Sequence, residues 1–257
     1  MKQYIILPIA IITMIAMILF TSCTISIKDS KEIKEAGEIK TETRSIEAFN
    51  ELSIEGMIEV EYIISDSTRM ELEGGENILP TIKTDIRGTR LWIKDERNSS
   101  SPQVSSDGRT IHYRGASDSW DSKTSNVKIR IYAPCFNEVQ MAGASTFNAD
   151  SLSTSSFIGK LAGSCNLNIK NLSCDNTTIS TAGASELNLG LTKTKSTQIE
   201  TAGSSEGNIH FNDCEYALIK VAGACTMKLS GTLNSLDKNI AGAADINTDN
   251  LTLKNNN

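Results

Sequence analysis

Six glycines recur in the second half of this sequence at almost constant spacing, each directly after an alanine. They are Gly143, Gly163, Gly183, Gly203, Gly223 and Gly242, separated by 20, 20, 20, 20 and 19 residues. A fixed period of this length marks a solenoid, because one repeat cannot bury its own apolar face and must stack on its neighbours. The spacing predicts an all-β fold, a parallel β-helix or β-solenoid with coils of about 20 residues, over residues 135–254.

Aligning the repeats on the glycine gives each position a job. The residue before it is Ala142, Ala162, Ala182, Ala202, Ala222 or Ala241, and the residue after it is alanine or serine. Three tiny residues at the same place in every repeat predict a bend where backbone passes close to backbone, with glycine supplying a conformation a Cβ forbids. Four residues past the glycine come Phe147, Leu167, Leu187, Gly207, Met227 and Ile246; six past it come Ala149, Ile169, Leu189, Ile209, Leu229 and Thr248. Strand alternation sends both columns into the core. On the incoming side Val139, Ile179, Ile199 and Ile219 form a third apolar column; Gly159 interrupts it, and Ile158 is the expected replacement. Each coil therefore reads as strand, small-residue bend, second strand and polar return. A chain rich in Ser, Thr, Asn and Gly, with 5% aromatics, suits such a thin core.

Between the two outgoing core columns lie Asn148, Asn168, Asn188, Asn208, Lys228 and Asn247. Period-2 alternation points them outward, where amides can hydrogen-bond along the stack. Such a column can recognise a glycan; it can equally be a structural amide ladder or a turn position that favours asparagine. Glu186 and Glu206 fall three past the glycine in neighbouring repeats, a separation of about 5 Å between parallel strands. Two carboxylates that close can bind Ca²⁺ or serve acid–base chemistry, and are also what a solvated acidic surface looks like. His112 and His210 are the only histidines and lack a Ser or Cys motif partner, so a catalytic triad is unsupported. No metal, cofactor or enzymatic activity is expected, and a net charge of -6 argues against a nucleic-acid partner.

The N-terminal residues address the chain. Lys2 precedes an apolar run from Ile5 to Phe20, and Thr21-Ser22 lead into Cys23. This resembles the bacterial lipoprotein signal: residues 1–22 are expected to be a signal peptide and Cys23 the acylated membrane anchor. The charged segment 23–45 then reads as a stalk. The expected location is the cell envelope, as an outer-membrane lipoprotein facing the periplasm or the surface. Of the other cysteines, Cys165 and Cys225 fall three coils apart and Cys174 and Cys214 two. At about 4.8 Å per coil neither pair can reach the roughly 7 Å Cα limit of a disulfide, so free thiols are expected.

The repeat is foreshadowed upstream. Phe49–Tyr62 (FNELSIEGMIEVEY) aligns without gaps to Phe136–Ala149 (FNEVQMAGASTFNA), matching Gly56 to Gly143. Residues 46–134 are thus expected to be a β region built on the same unit. Within it, 98–125 reads as a long surface loop or hairpin carrying His112, Tyr113 and Trp120, and 255–257 as a polar tail. The elements Phe49-x-x-Leu-x-Ile-x-Gly56, Leu91-x-Ile93, Val127-x-Ile-x-Ile-x-Ala-Pro134 and the repeated Ala-Gly-Ser/Ala resemble the auto-transporter adhesin head domain called GIN, common among lipoproteins and secreted proteins of Bacteroidetes. The resemblance implies a parallel β-helical fold and an adhesin-like role, and carries over no catalytic residues. Three functions follow as expectations: a binding module for glycans or a surface protein, a polysaccharide-acting β-helix enzyme, or a structural envelope protein.

Overall fold

A computed structural model describes residues 33–98, 103–106, 111–114, 119–120 and 126–254. The signal segment, Cys23, the tail 255–257, much of the 98–125 segment, and the side chains of His112, Tyr113 and Trp120 lie outside the described residues. The described backbone is all-β apart from two short 3-10 turns, Leu79–Thr81 and Glu96–Asn98. The segment that groups with the hairpin holds two antiparallel strands, Gln103–Ser106 and Ile111–Arg114.

The main unit is built on one 14-stranded open sheet. Its centre consists of two parallel ladders. The strands before the glycines, Glu51–Gly56, Glu138–Gly143, Ser156–Gly163 and Asn176–Gly183, stack with glycine on glycine and continue onto Gly203 in the long run Ser196–Leu253. The strands after the glycines, Glu59–Ile64, Thr146–Ser153, Asn166–Ser173 and Glu186–Thr192, stack likewise and join the same run. Gly56 pairs with Gly143 in the register expected from the alignment. Toward the N-terminal side the ladders pass into antiparallel strands: Ile82–Arg87 on Arg90–Asp95 at one edge, Ile39–Arg44 on Arg69–Gly75 at the other.

The bend is as tight as the three small residues imply. All six repeat glycines have φ between +96° and +134°. A Cβ on Gly163 would lie 2.4 Å from the carbonyl oxygen of Gly143, so each glycine makes room for the one below it. Two residues on, Ser145, Cys165, Ser185, Ser205 and Cys225 are buried under the bend. Ser145 Oγ donates to the Gly56 carbonyl at 2.9 Å, and Cys165 Sγ makes the longer equivalent contact to the Gly143 carbonyl at 3.8 Å. Two of the four buried thiols therefore sit in slots otherwise filled by serine. Cys135, Cys165, Cys174, Cys214 and Cys225 are all free, and burial pushes the Cys165, Cys174, Cys214 and Cys225 thiols up from their ordinary value.

The core columns are buried as alternation requires: Phe147, Leu167, Leu187 and Met227 in one, Ala149, Ile169, Leu189, Ile209 and Leu229 in the other. Two expectations need correction. Ile158 does not replace the missing side chain at Gly159; it points outward, paired between Glu138 and Thr178. The gap is taken by Ile179, whose Cδ1 would stand 2.7 Å from a Cβ on Gly159. The return is also less polar than expected. Asp150 and Ser151 are both exposed, as are Lys170 and Asn171, which breaks the alternation and brings Leu152 and Leu172 back into the core. Leu191 and Phe211 are buried by unbroken alternation after Leu189 and Ile209, and Leu233 is buried as well.

Candidate functional site

The outward asparagine column follows from the two buried columns on either side of it. Asn148, Asn168, Asn188 and Asn208 occupy successive rungs in register. Asn168 Nδ2 donates to Asn148 Oδ1 at 2.9 Å, Asn188 to Asn168 at 2.8 Å and Asn208 to Asn188 at 2.8 Å. Asn148 Nδ2 in turn reaches Glu59 Oε1 at 3.4 Å, so the amide dipoles align head to tail. Each interior amide donates one N–H and accepts one within the ladder; Asn168 keeps a second N–H, whereas Asn188 gives its second to Glu186. Asn247 is not joined to them: Lys228 interrupts the column, and Asn247 Nδ2 instead donates to Asp249 Oδ2 at 2.9 Å.

Glu186 and Glu206 do fall opposite each other on adjacent strands, both exposed. The Glu186 carboxylate accepts from Asn188 Nδ2 at 2.9 Å, which ties it to the ladder. Among the described residues no group of three or more His, Cys, Asp or Glu side chains is placed to hold a metal ion. His210 Nδ1 lies 3.1 Å from Ser230 Oγ, a contact between neighbouring rungs at the surface. Beside the N-terminal end of the ladder lies an open cleft of about 430 Å³ whose lining includes Glu59, Glu61, Lys128, Asn148, Asp150 and Lys170. Its charges are mutually paired, Lys170 with Asp150 at 2.6 Å and Lys128 with Glu61 at 3.0 Å. What this face offers chemically is a row of hydrogen-bond donors and acceptors at the strand spacing.

The other ladder carries a cluster the sequence pattern did not flag. Glu138 Oε1 takes Lys160 Nζ at 3.0 Å, Arg90 Nη2 at 3.2 Å and Gln140 Nε2 at 2.5 Å. Arg90 also pairs with Glu51 at 2.5 Å. Burial alone would raise the Glu138 carboxyl, but hydrogen bonds from Gln140 and Lys160 and the charges of Lys160 and Arg90 outweigh it, so its pKa is lowered. Arg90 is 48 residues from Glu138, and Lys160 is 22, so only strand register brings them together. The one signal available in the sequence was the alignment of Glu51 with Glu138.

The chain matches the family model described as "Putative auto-transporter adhesin, head GIN domain" over residues 48–207. Among solved structures it is similar to a "putative adhesin" from Bacteroides fragilis, with a TM-score of 0.55 at 17% identity, covering 83% of this chain and 99% of that one. A "putative lipid binding protein" from Parabacteroides distasonis gives a TM-score of 0.50 at 18% identity, covering 83% of this chain and 99% of the other. At these identities the likeness is one of fold. A comparison with curated proteins found no match. With the matched segment spanning the Phe49–Gly56 unit, both parallel ladders and the first four repeat glycines, the chain belongs to the auto-transporter adhesin head GIN domain family.

Proposed function

We propose that this protein is an adhesin-like binding module of the cell envelope. In this reading it is an outer-membrane lipoprotein, anchored through acylated Cys23, that holds a β-solenoid rod toward glycans or a surface protein. The two parallel ladders are then the faces of successive coils, from residue 135 to 254, with 46–134 as their N-terminal extension and 23–45 as the stalk. Family membership supports the adhesin-like part of the reading, since the family is described as an adhesin head rather than an enzyme. The signal-like residues before Cys23 support the tether.

The single observation that carries the reading is the register of the asparagine column. Four amides stand on one face at the strand spacing, with acceptor lone pairs left over along the row and an N–H left over at each except Asn188. A repetitive ligand could meet such a face at several equivalent points, giving avidity from individually weak contacts. The same hydrogen bonds favour a second reading, in which the ladder only stiffens a structural envelope protein.

Two measurements separate these. Protease shaving of intact cells, compared with a Cys23→Ser variant, tests tether and exposure: the wild-type protein should be trimmed and the variant released from the membrane. Wild-type protein should bind on a glycan array or to host-type cell surfaces, and changing Asn168, Asn188 and Asn208 together to Ala should weaken that binding. If the triple variant only lowers the melting temperature and binding persists, the ladder is structural. If the wild-type protein captures neither glycans nor cells, the binding-module reading falls.

A further inference from the structure

The outer face of the pre-glycine ladder holds a groove of about 340 Å³, on the other side of the glycine bend from the asparagine column in each repeat. Its long wall is Trp92, which stands on Arg90–Asp95 with Ser53 as its direct strand neighbour. Ser53 is buried between its strand neighbours Trp92 and Gln140. Beyond it the floor is made of Ala142 and Ala162, the residues before the repeat glycines, and the rim carries Glu55, Gln140 and Lys160.

The indole is held in place. The guanidinium carbon of Arg87 lies 5.0 Å from its ring centroid and that of Arg90 5.8 Å. Arg87 is itself fixed by Asp85 at 3.1 Å, and Arg90 by Glu51 and Glu138. The polar rim is held by the same device. Glu138 takes one N–H from Gln140 and one from Lys160, which turns the Gln140 carbonyl oxygen and the remaining Lys160 protons into unspent groups of fixed position. Pre-ordering of this kind removes side-chain entropy from the cost of binding.

An aromatic wall, an apolar floor and a few polar groups at the edge make a site for a ligand with one apolar face and a ring of hydroxyls. Glu55 and Lys160 bring opposite charges to the rim, so the groove does not call for a charged ligand. We infer that this groove is a subsite for a neutral pyranose of an oligosaccharide. The sugar's C–H face lies against Trp92 and the two alanines, while its hydroxyls donate to Gln140 Oε1 and Glu55 and accept from Lys160. The inference rests on the binding-module reading above and adds to the asparagine face a second contact, of stated place and chemistry, in this groove.

The chain has two tryptophans, so Trp120→Phe in the full-length protein leaves Trp92 as the sole indole reporter. Titration with neutral oligosaccharides of several linkages should shift Trp92 emission saturably for at least one of them. Ala162→Glu, at an exposed position that leaves the core untouched, should block the groove and raise the dissociation constant about tenfold or more, a loss of about 1.4 kcal/mol or more. Trp92→Ala should do the same. Oligosaccharide binding that survives both Ala162→Glu and Trp92→Ala overturns the groove and leaves the binding module standing. Emission that responds to fatty-acid or phospholipid vesicles and to no oligosaccharide overturns the carbohydrate assignment. Adhesion to cells that persists after glycan removal, with no oligosaccharide bound, also overturns it, while the binding-module reading survives through a protein partner. Failure to capture glycans, cells or protein in any format removes both.

Discussion

The first repeats and the last repeat of the parallel ladders obey the same sequence pattern and end up in different physical states. Around the first repeat glycine the core is aromatic: the Phe136 ring lies 5.0 Å from Tyr62, 5.8 Å from Phe147, 6.2 Å from Phe49 and 6.4 Å from Phe157. Tyr62 also donates its hydroxyl to the Ala133 carbonyl at 3.0 Å, and burial pushes its pKa up to about 12. In the last coil the corresponding inward positions are only partly covered. Ile240 is 46% exposed, and Leu236, Ala244, Ile246, Leu251 and Leu253 are half-buried. Four before Gly242, in line with Val139, Ile179, Ile199 and Ile219, stands Lys238, which is exposed. An inward column is fully buried where a repeat stacks on each side, and among the described residues none stacks on the far side of this one. A lysine in that column is also a device that discourages edge-to-edge pairing.

That contrast can be broken most sharply at the glycines. Gly163→Val places a β-branched side chain at φ +108° with its Cβ 2.4 Å from a backbone oxygen, between two other coils. The expected loss is more than about 3 kcal/mol. Gly242→Val meets a similar clash, 2.5 Å from the Gly223 oxygen, but the last coil can move away and should lose about half as much. Equal losses in urea denaturation would mean that the last coil is held as rigidly as the middle. Next in size is the aromatic cluster: Phe136→Ala should cost about 3–5 kcal/mol, whereas Ile240→Ala should stay within about 0.5 kcal/mol. A large Ile240→Ala effect in the same assay would show that something covers the last coil in solution.

The Glu138 cluster comes third, with Glu138→Gln expected to cost about 1–3 kcal/mol through its charged hydrogen bonds. Because the folded pKa is lowered, this stabilisation is present above the ordinary glutamate range and is lost as pH falls through the folded value. The wild type should therefore lose more stability than the variant between about pH 5 and pH 3, measured as thermal midpoints; parallel curves would deny Glu138 that role. The smallest effect concerns Thr197, whose hydroxyl is buried without a hydrogen-bond partner. Thr197→Val removes it at constant shape and should leave the stability unchanged or raise it by about 1 kcal/mol. A clear loss would reveal an ordered water bound there.

Much of the fold was legible because its determinants are local. Glycine after alanine at a fixed step announces the bend, and alternation around Phe147 and Ala149 assigns inside and outside without knowledge of the partner strand. The Gly56–Gly143 alignment likewise foretold a strand pairing across 87 residues of chain. The candidate sites were less legible. The asparagine column could be placed outward, yet whether its amides faced each other or the solvent depended on side-chain rotamers set across the ladder. Trp92 carried no motif, and attention fell on Trp120 in a segment rich in serine and aspartate. The Leu152 and Leu172 positions were missed because two exposed residues shift the phase of the strand, which a period-2 pattern does not anticipate.

By itself, then, the sequence determined the repeat, the bend, the inward columns and the family, since each depends on chain chemistry repeated within about one coil. Only the tertiary structure decided that Cys165 and Cys225 are buried under the bend, that Ile179 fills the space over Gly159, and that Arg90, Gln140 and Lys160 converge on Glu138 beside Trp92. Those outcomes depend on which residues become neighbours across strands. Register sets that, and register is a property of the whole stack rather than of any one repeat.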